Sequence, residues 1–187
     1  MRTIFTIMLI SFSTTAYGNE LFGLKLNASA TDLAIIGDEY LVEYVVHGRN
    51  QNGDRRNLYE VEVTVPFPDF NLDYFLASYD KTSNRIESVQ GWKEDLKSLS
   101  TCNAMAETIA SNLSRNLNVS YSRENIGGDT YFYVITDLKK EGYSLHVVCL
   151  DKFNNDMPSL AVEMYSKKFK IGYELGLLKQ KLLSYIE

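Results

Sequence analysis

Residues 143–151 read Tyr143-Ser144-Leu145-His146-Val147-Val148-Cys149-Leu150-Asp151. Along an extended chain, side chains alternate between two faces. Tyr143, Leu145, Val147 and Cys149 therefore share one side, and Ser144, His146, Val148 and Leu150 the other. The stretch is a strand whose cysteine points inward. Residues 94–116 carry the other period. Leu99, Cys102, Ala106, Ile109, Leu113 and Leu117 recur on one helical face. Glu94 and Asp95 suit the positive end of that helix. A helix laid on a sheet brings Cys102 and Cys149 together, and these are the only two cysteines. A disulfide is the expected outcome; two buried thiols or a metal pair are the alternatives. Closing a loop of that length stabilises a fold by about 4 kcal/mol in the chain-entropy picture.

Outward from this pair, the chain reads as α+β. On the C-terminal side, residues 160–166 form a strand, and Ile171, Leu175, Leu178, Leu182 and Ile186 space an amphipathic C-terminal helix. Strands at 119–123 and 130–137 precede the central one, joined by Gly127-Gly128 and Lys140-Glu141-Gly142 turns. On the N-terminal side, Ser29 or Thr31 caps a short helix expected to run to Ile36 and stop at Gly37. Strands follow at 40–47 and 58–65, around a polar loop with an Asn52-Gly53 turn. Tyr59, Val61, Val63 and Val65 face the core, while Glu60, Glu62 and Thr64 face water. A second hairpin occupies 74–79 and 85–92. The expected architecture is antiparallel meanders packed on one long helix. A helix-plus-four-strand unit occurs twice in this reading, which marks a possible duplication.

The amino terminus sets the expected compartment. Arg2 is followed by a mostly apolar run to Phe12 and then by small residues, with Ala16 and Gly18 placed for cleavage after Gly18. That run is too short to cross a hydrocarbon core of about 30 Å. Residues 1–18 read as a signal peptide and 19–187 as one domain, with possible halves at 19–92 and 93–187. The expected location is the periplasm or the secreted space. A net charge of −5 disfavours nucleic acid and anionic membrane surfaces as partners.

The stretch Phe22-Gly23-Leu24-Lys25-Leu26-Asn27-Ala28-Ser29, followed by helix and antiparallel strands, resembles the opening of many small bacterial periplasmic domains. These typically read Phe-Gly-x-x-Leu-Gly, so Asn27 departs from the pattern. The helix-plus-meander layout resembles the beta-lactamase-inhibitor-protein-like group. That resemblance implies an α+β sheet and a role among secreted enzyme inhibitors or envelope proteins. It carries over no functional residue.

Catalytic chemistry finds little support. His47 and His146 are the only histidines and read as surface or half-buried structural residues, with no nucleophile elbow near them. Two distant histidines cannot build a three-ligand zinc site. Asp151 with Asn154-Asn155-Asp156 lacks calcium-loop spacing and reads as a turn. Gly127-Gly128-Asp129 lacks the ending of a phosphate loop. Glu43, Glu60 and Glu62 are a carboxylate set for hydrolysis, weighed against a plain solvated strand face. No cofactor is implied. Asn27, Asn112 and Asn118 stand in sequons.

Thirteen tyrosines suit interfaces, since each buries area while keeping a polar tip. Trp92 is expected to pack beneath the main helix, with an anchor for a partner as the alternative. The places for recognition are the loop holding Arg49, Arg55 and Arg56, and the segment holding Phe67 and Phe70. The leading expectation is a non-enzymatic module that binds another exported or envelope protein. A small-ligand or lipid carrier is the alternative, and a carboxylate hydrolase the third.

Overall fold

The computed structural model describes residues 18–46, 54–127, 130–136, 142–154 and 157–166. Residues 1–17 of the expected signal peptide, Arg49 and His47, and the C-terminal helix expected after residue 170 lie outside the described residues. The fold is α+β: one mostly antiparallel eight-stranded sheet with a single helix packed on it.

A small ribbon opens the described chain, β1 (Glu20–Leu21) paired with β2 (Leu24–Lys25). Two meanders follow. The first comprises β3 (Ala34–Val46), β4 (Asp54–Thr64), β5 (Tyr74–Asp80) and β6 (Arg85–Lys93). Helix α1 (Leu99–Leu117) comes next. The second meander comprises β7 (Ser122–Gly127), β8 (Thr130–Thr136), β9 (Tyr143–Asn154) and β10 (Met157–Ser166). The meanders join where β6 pairs with β10, giving the order β3-β4-β5-β6-β10-β9-β8-β7. Among the described residues the edges are thus β3 and β7.

Local chemistry explains most boundaries. The β5–β6 turn is held by Asp80, whose carboxylate accepts the N–H groups of Thr82 (2.8 Å) and Ser83 (3.1 Å). Asn84 then takes a left-handed φ of 51°. Helix α1 starts at Ser98, whose Oγ accepts the Thr101 N–H at 3.1 Å. It stops at Asn118, left-handed at φ 54°. The helix therefore begins after Glu94 and Asp95, which precede it as a connector. The cap, and not the acidic pair, sets the first turn.

The expected N-terminal helix is absent. A 3-10 turn spans only Ala30–Asp32, with Ser29 as its cap, and Ala34 already belongs to β3. Ile35 pairs across the sheet with Val63. Six residues are too few to hold an isolated helix, whereas β-branched Ile35 and Ile36 find a ready ladder on β4. A helix thus precedes the second meander alone.

Register shows how the core forms. Val61, Ala77, Val89, Met164 and Leu145 stand in one row across five strands, all buried. On this first face α1 covers β8, β9 and β10 with Cys102, Ala106, Ile109, Ala110 and Leu113. The N-terminal ribbon covers the other meander, where the Phe22 ring meets Phe75 edge-on at 4.9 Å. Gly91 is needed there, because a Cβ would lie 2.6 Å from Leu72 and 2.8 Å from Phe22. The cysteines meet as their faces predict: Cys102 and Cys149 sit at disulfide distance, Cα atoms 5.8 Å apart, both fully buried.

Candidate functional site at the free edge

The two edges of the sheet differ. Edge β7 is short, and Arg123 and Glu124 stand on it, Arg123 lying over the Tyr131 ring at 3.6 Å. Charge and brevity are usual protections of a strand edge. Edge β3 has 13 residues and is apolar: Ile35 is 48% exposed, Ile36 62%, Tyr40 63% and Leu41 57%. Ile35 and Leu41 lie on the first face, opposite Val63 and Tyr59, and Tyr40 lies on the second, opposite Glu60.

One irregularity breaks this edge. Pairing shifts between Ile35 and Glu39, so Ile36, Gly37 and Asp38 bulge, after which every residue from 39 to 46 pairs with β4. A polar cluster pins the strand just past the bulge. The Glu39 carboxylate accepts the Tyr79 hydroxyl and pairs with Lys81 at 3.6 Å. Lys81 also sits over the Tyr59 ring at 4.1 Å, and Tyr59 stacks on Tyr79 at 5.8 Å.

Of the residues expected to form an interaction surface, Phe67 is 56% exposed. Phe70 is turned toward the core, its ring 6.5 Å from Phe22 and its φ at 64°. Arg55 and Arg56 pair with Val45 and Tyr44 in the β3–β4 hairpin. Ile35, Ile36 and Leu41 were not singled out by sequence reasoning, and Tyr40 counted only as one of several strand tyrosines. The signal was present in the β-branched Ile35-Ile36 pair, which argued for a strand before Gly37.

The carboxylate set behaves differently from a cleft. Glu60 and Glu62 lie half-buried on the second face of β4, and the Ser78 hydroxyl donates to Glu60 at 3.3 Å. The side chain of Glu43 falls outside the described residues. The second face holds a polar row, Glu60, Ser78, Ser88, Tyr165 and Ser144, of which alternation had assigned Glu60 to water. A parallel row sets Gln90, Glu163 and His146 side by side. These positions are sealed: Glu163 is 0% and His146 3% exposed. His146 is thus a buried residue, against the expected surface or half-buried position, packed 4.6 Å from the Phe132 ring. At that burial a carboxylate–imidazole pair cannot meet a substrate. Trp92 is also on this second face, with Val148 and Ala161, and not beneath α1. Its indole N–H donates to Gln90 at 3.0 Å, and its ring stacks on Tyr74.

Near the start of α1, Asp73, Lys93, Glu94, Lys97 and Thr101 line an open hollow. Lys93 meets Asp73 at 2.5 Å. Burial pushes the Asp73 pKa up, but the Lys93 hydrogen bond and the Glu94 N–H outweigh it and hold the carboxyl below its ordinary value. Lys93 and Asp73 thus satisfy each other, and the Glu94 carboxylate accepts the Tyr74 hydroxyl at 2.8 Å. Between α1 and the sheet, Cys102, Ala106 and Ala110 are fully buried. Among the described residues, no three metal-capable side chains converge and no helix is long and apolar enough to cross a membrane.

Compared with known proteins, the chain matches no family model, no curated protein and no solved structure.

Proposed function

We propose that this protein is a non-enzymatic binding module that works outside the cytoplasm and engages another exported or envelope protein, as an inhibitor, immunity or assembly factor does. The observation that carries this reading is the open, apolar β3 edge. Among the described residues, four of the six exposed large apolar side chains stand there. Phe67 adds a further exposed anchor. Export follows from the charged, apolar and small-residue order of residues 1–18. The Cys102–Cys149 pair fits an oxidising compartment, where it forms the disulfide.

Affinity capture tests the reading. The oxidised protein, purified from a host that exports it, is exposed to envelope and medium fractions, beside Leu41→Lys and Phe67→Ser variants. Enrichment of one exported protein, lost in at least one variant, is the expected result. Equal recovery with every variant, or no enrichment from any fraction, would sink it.

A further inference from the structure

We infer that the second face of the sheet is a docking surface for the chain's own residues 167–187, which close it over β6, β10 and β9. The first face is covered by α1 over β8, β9 and β10, and by the N-terminal ribbon over the other meander. The second face is just as closed. Trp92 is 5% exposed there and Val148 2%, and the polar Gln90, His146 and Glu163 are buried on it too. Yet the side chains packed with Trp92, Val148 and Ala161 are Tyr74, Leu76, Phe132 and Leu150, all on strands of the same sheet. Side chains on one face of a sheet stand side by side, so they cannot shield one another's outer ends. Closing such a face takes a second layer. Among the described residues, neither the helix nor the ribbon joins that cluster.

The face is closed within a single chain, so the layer belongs to this chain and not to a second copy. The gaps between described residues run to seven residues at most, too short to form a layer. Two longer segments remain, 1–17 and 167–187. The first leads into β1, where Leu21 joins the first-face core, and it is removed on export in the reading above. The second leaves β10 at Ser166, in the middle of the strand order. Trp92 pairs with Ala161, five residues back along β10 or about 17 Å by strand rise. A helix turned back from Ser166 covers that distance in about eleven residues, and residues 167–187 would extend about 31 Å. Ile171, Leu175, Leu178, Leu182 and Ile186 recur at helical spacing and give one apolar stripe to lay on the Trp92 cluster. Charge agrees. Residues 167–187 hold five lysines and two glutamates, a net +3 on a chain of net −5. Lys167, Lys168 and Lys170 directly follow the strand that carries the buried Glu163. This layer is independent of the β3 edge and of the protein-binding reading.

Trp92 is the only tryptophan, so its fluorescence reports on this face alone. In the whole oxidised chain its emission should be blue-shifted and nearly closed to acrylamide. Leu178→Asp with Leu182→Asp should raise the acrylamide quenching constant at least about threefold, while Gln180→Asp, off the stripe, leaves it unchanged. A photoreactive benzoylphenylalanine in place of Phe132, half-buried on that face, identifies the occupant with the stripe intact. Its cross-link should map by mass spectrometry to residues 171–187 of the same chain. In the unaltered protein, amides of residues 171–186 should exchange at least about tenfold more slowly than in the free peptide. Cross-links that avoid residues 167–187, cross-links to a second chain, or exchange at the free-peptide rate overturn the proposal. So does unchanged Trp92 quenching in a folded double variant. If circular dichroism shows that the double variant has unfolded, the cross-link and the exchange rates decide, since neither alters the stripe.

Discussion

Breaking the Cys102–Cys149 link should cost this protein about 4 kcal/mol. The two cysteines are 47 residues apart, and the enclosed loop holds most of α1, all of β7 and β8, and most of β9. The chain-entropy relation for a loop of that length gives about 4 kcal/mol at 25 °C. For a chain of this size each kcal/mol moves Tm by about 2–4 °C, so the midpoint should fall by about 8–16 °C. With an m-value near 2 kcal/mol/M, the urea midpoint should fall by about 2 M. The clean perturbation is reduction, which keeps both sulfurs in place and removes only the cross-link. Cys102→Ala with Cys149→Ala should lose somewhat more, since both positions are fully buried and two atoms leave the core. The assay is urea unfolding followed by circular dichroism, with thiols counted in denaturant. The oxidised protein should show no free thiol. Oxidised and reduced forms unfolding within about 1 kcal/mol of each other would refute the reasoning, as would two reactive thiols in protein purified without reductant.

Three further perturbations test the fold around the site. Gly91→Ala should cost about 1–3 kcal/mol by crowding Leu72 and Phe22, and adding Leu72→Ala should recover part of it; thermal melts of the single and double variants decide. Ser98→Ala should cost about 1 kcal/mol, because the Thr101 N–H loses its acceptor while α1 keeps its packing face; urea midpoints measure it. Burial first, then the hydrogen bond to Glu94 and the nearby Glu60 and Glu62 carboxylates, raises the Tyr74 phenol above its ordinary value. The unfolded chain then releases this proton before the folded one, so stability should fall as pH rises through about 10. Urea midpoints between pH 8 and 11 should fall less steeply in Tyr74→Phe; identical slopes would remove Tyr74 as the cause.

Much of this protein was legible in its sequence because the decisive signals are local. The period of two in β9 and the 3.6-residue spacing in α1 fixed which side of each element carries a cysteine, and the pair meets on that basis. Asp80 and Asn84 announced the turn between β5 and β6 through chemistry within five residues. Tertiary structure decided what depends on distant neighbours. Ala34, Ile35 and Ile36 became strand because β4, some thirty residues on, offers the ladder. The seam between β6 and β10 joins strands that no periodicity links. Alternation set Glu163 and His146 on the second face, yet burial depends on what surrounds a face, and the fold seals both. The same holds for the edge. A strand's own residues say that it will pair, but only the order of all eight leaves β3 with one side open.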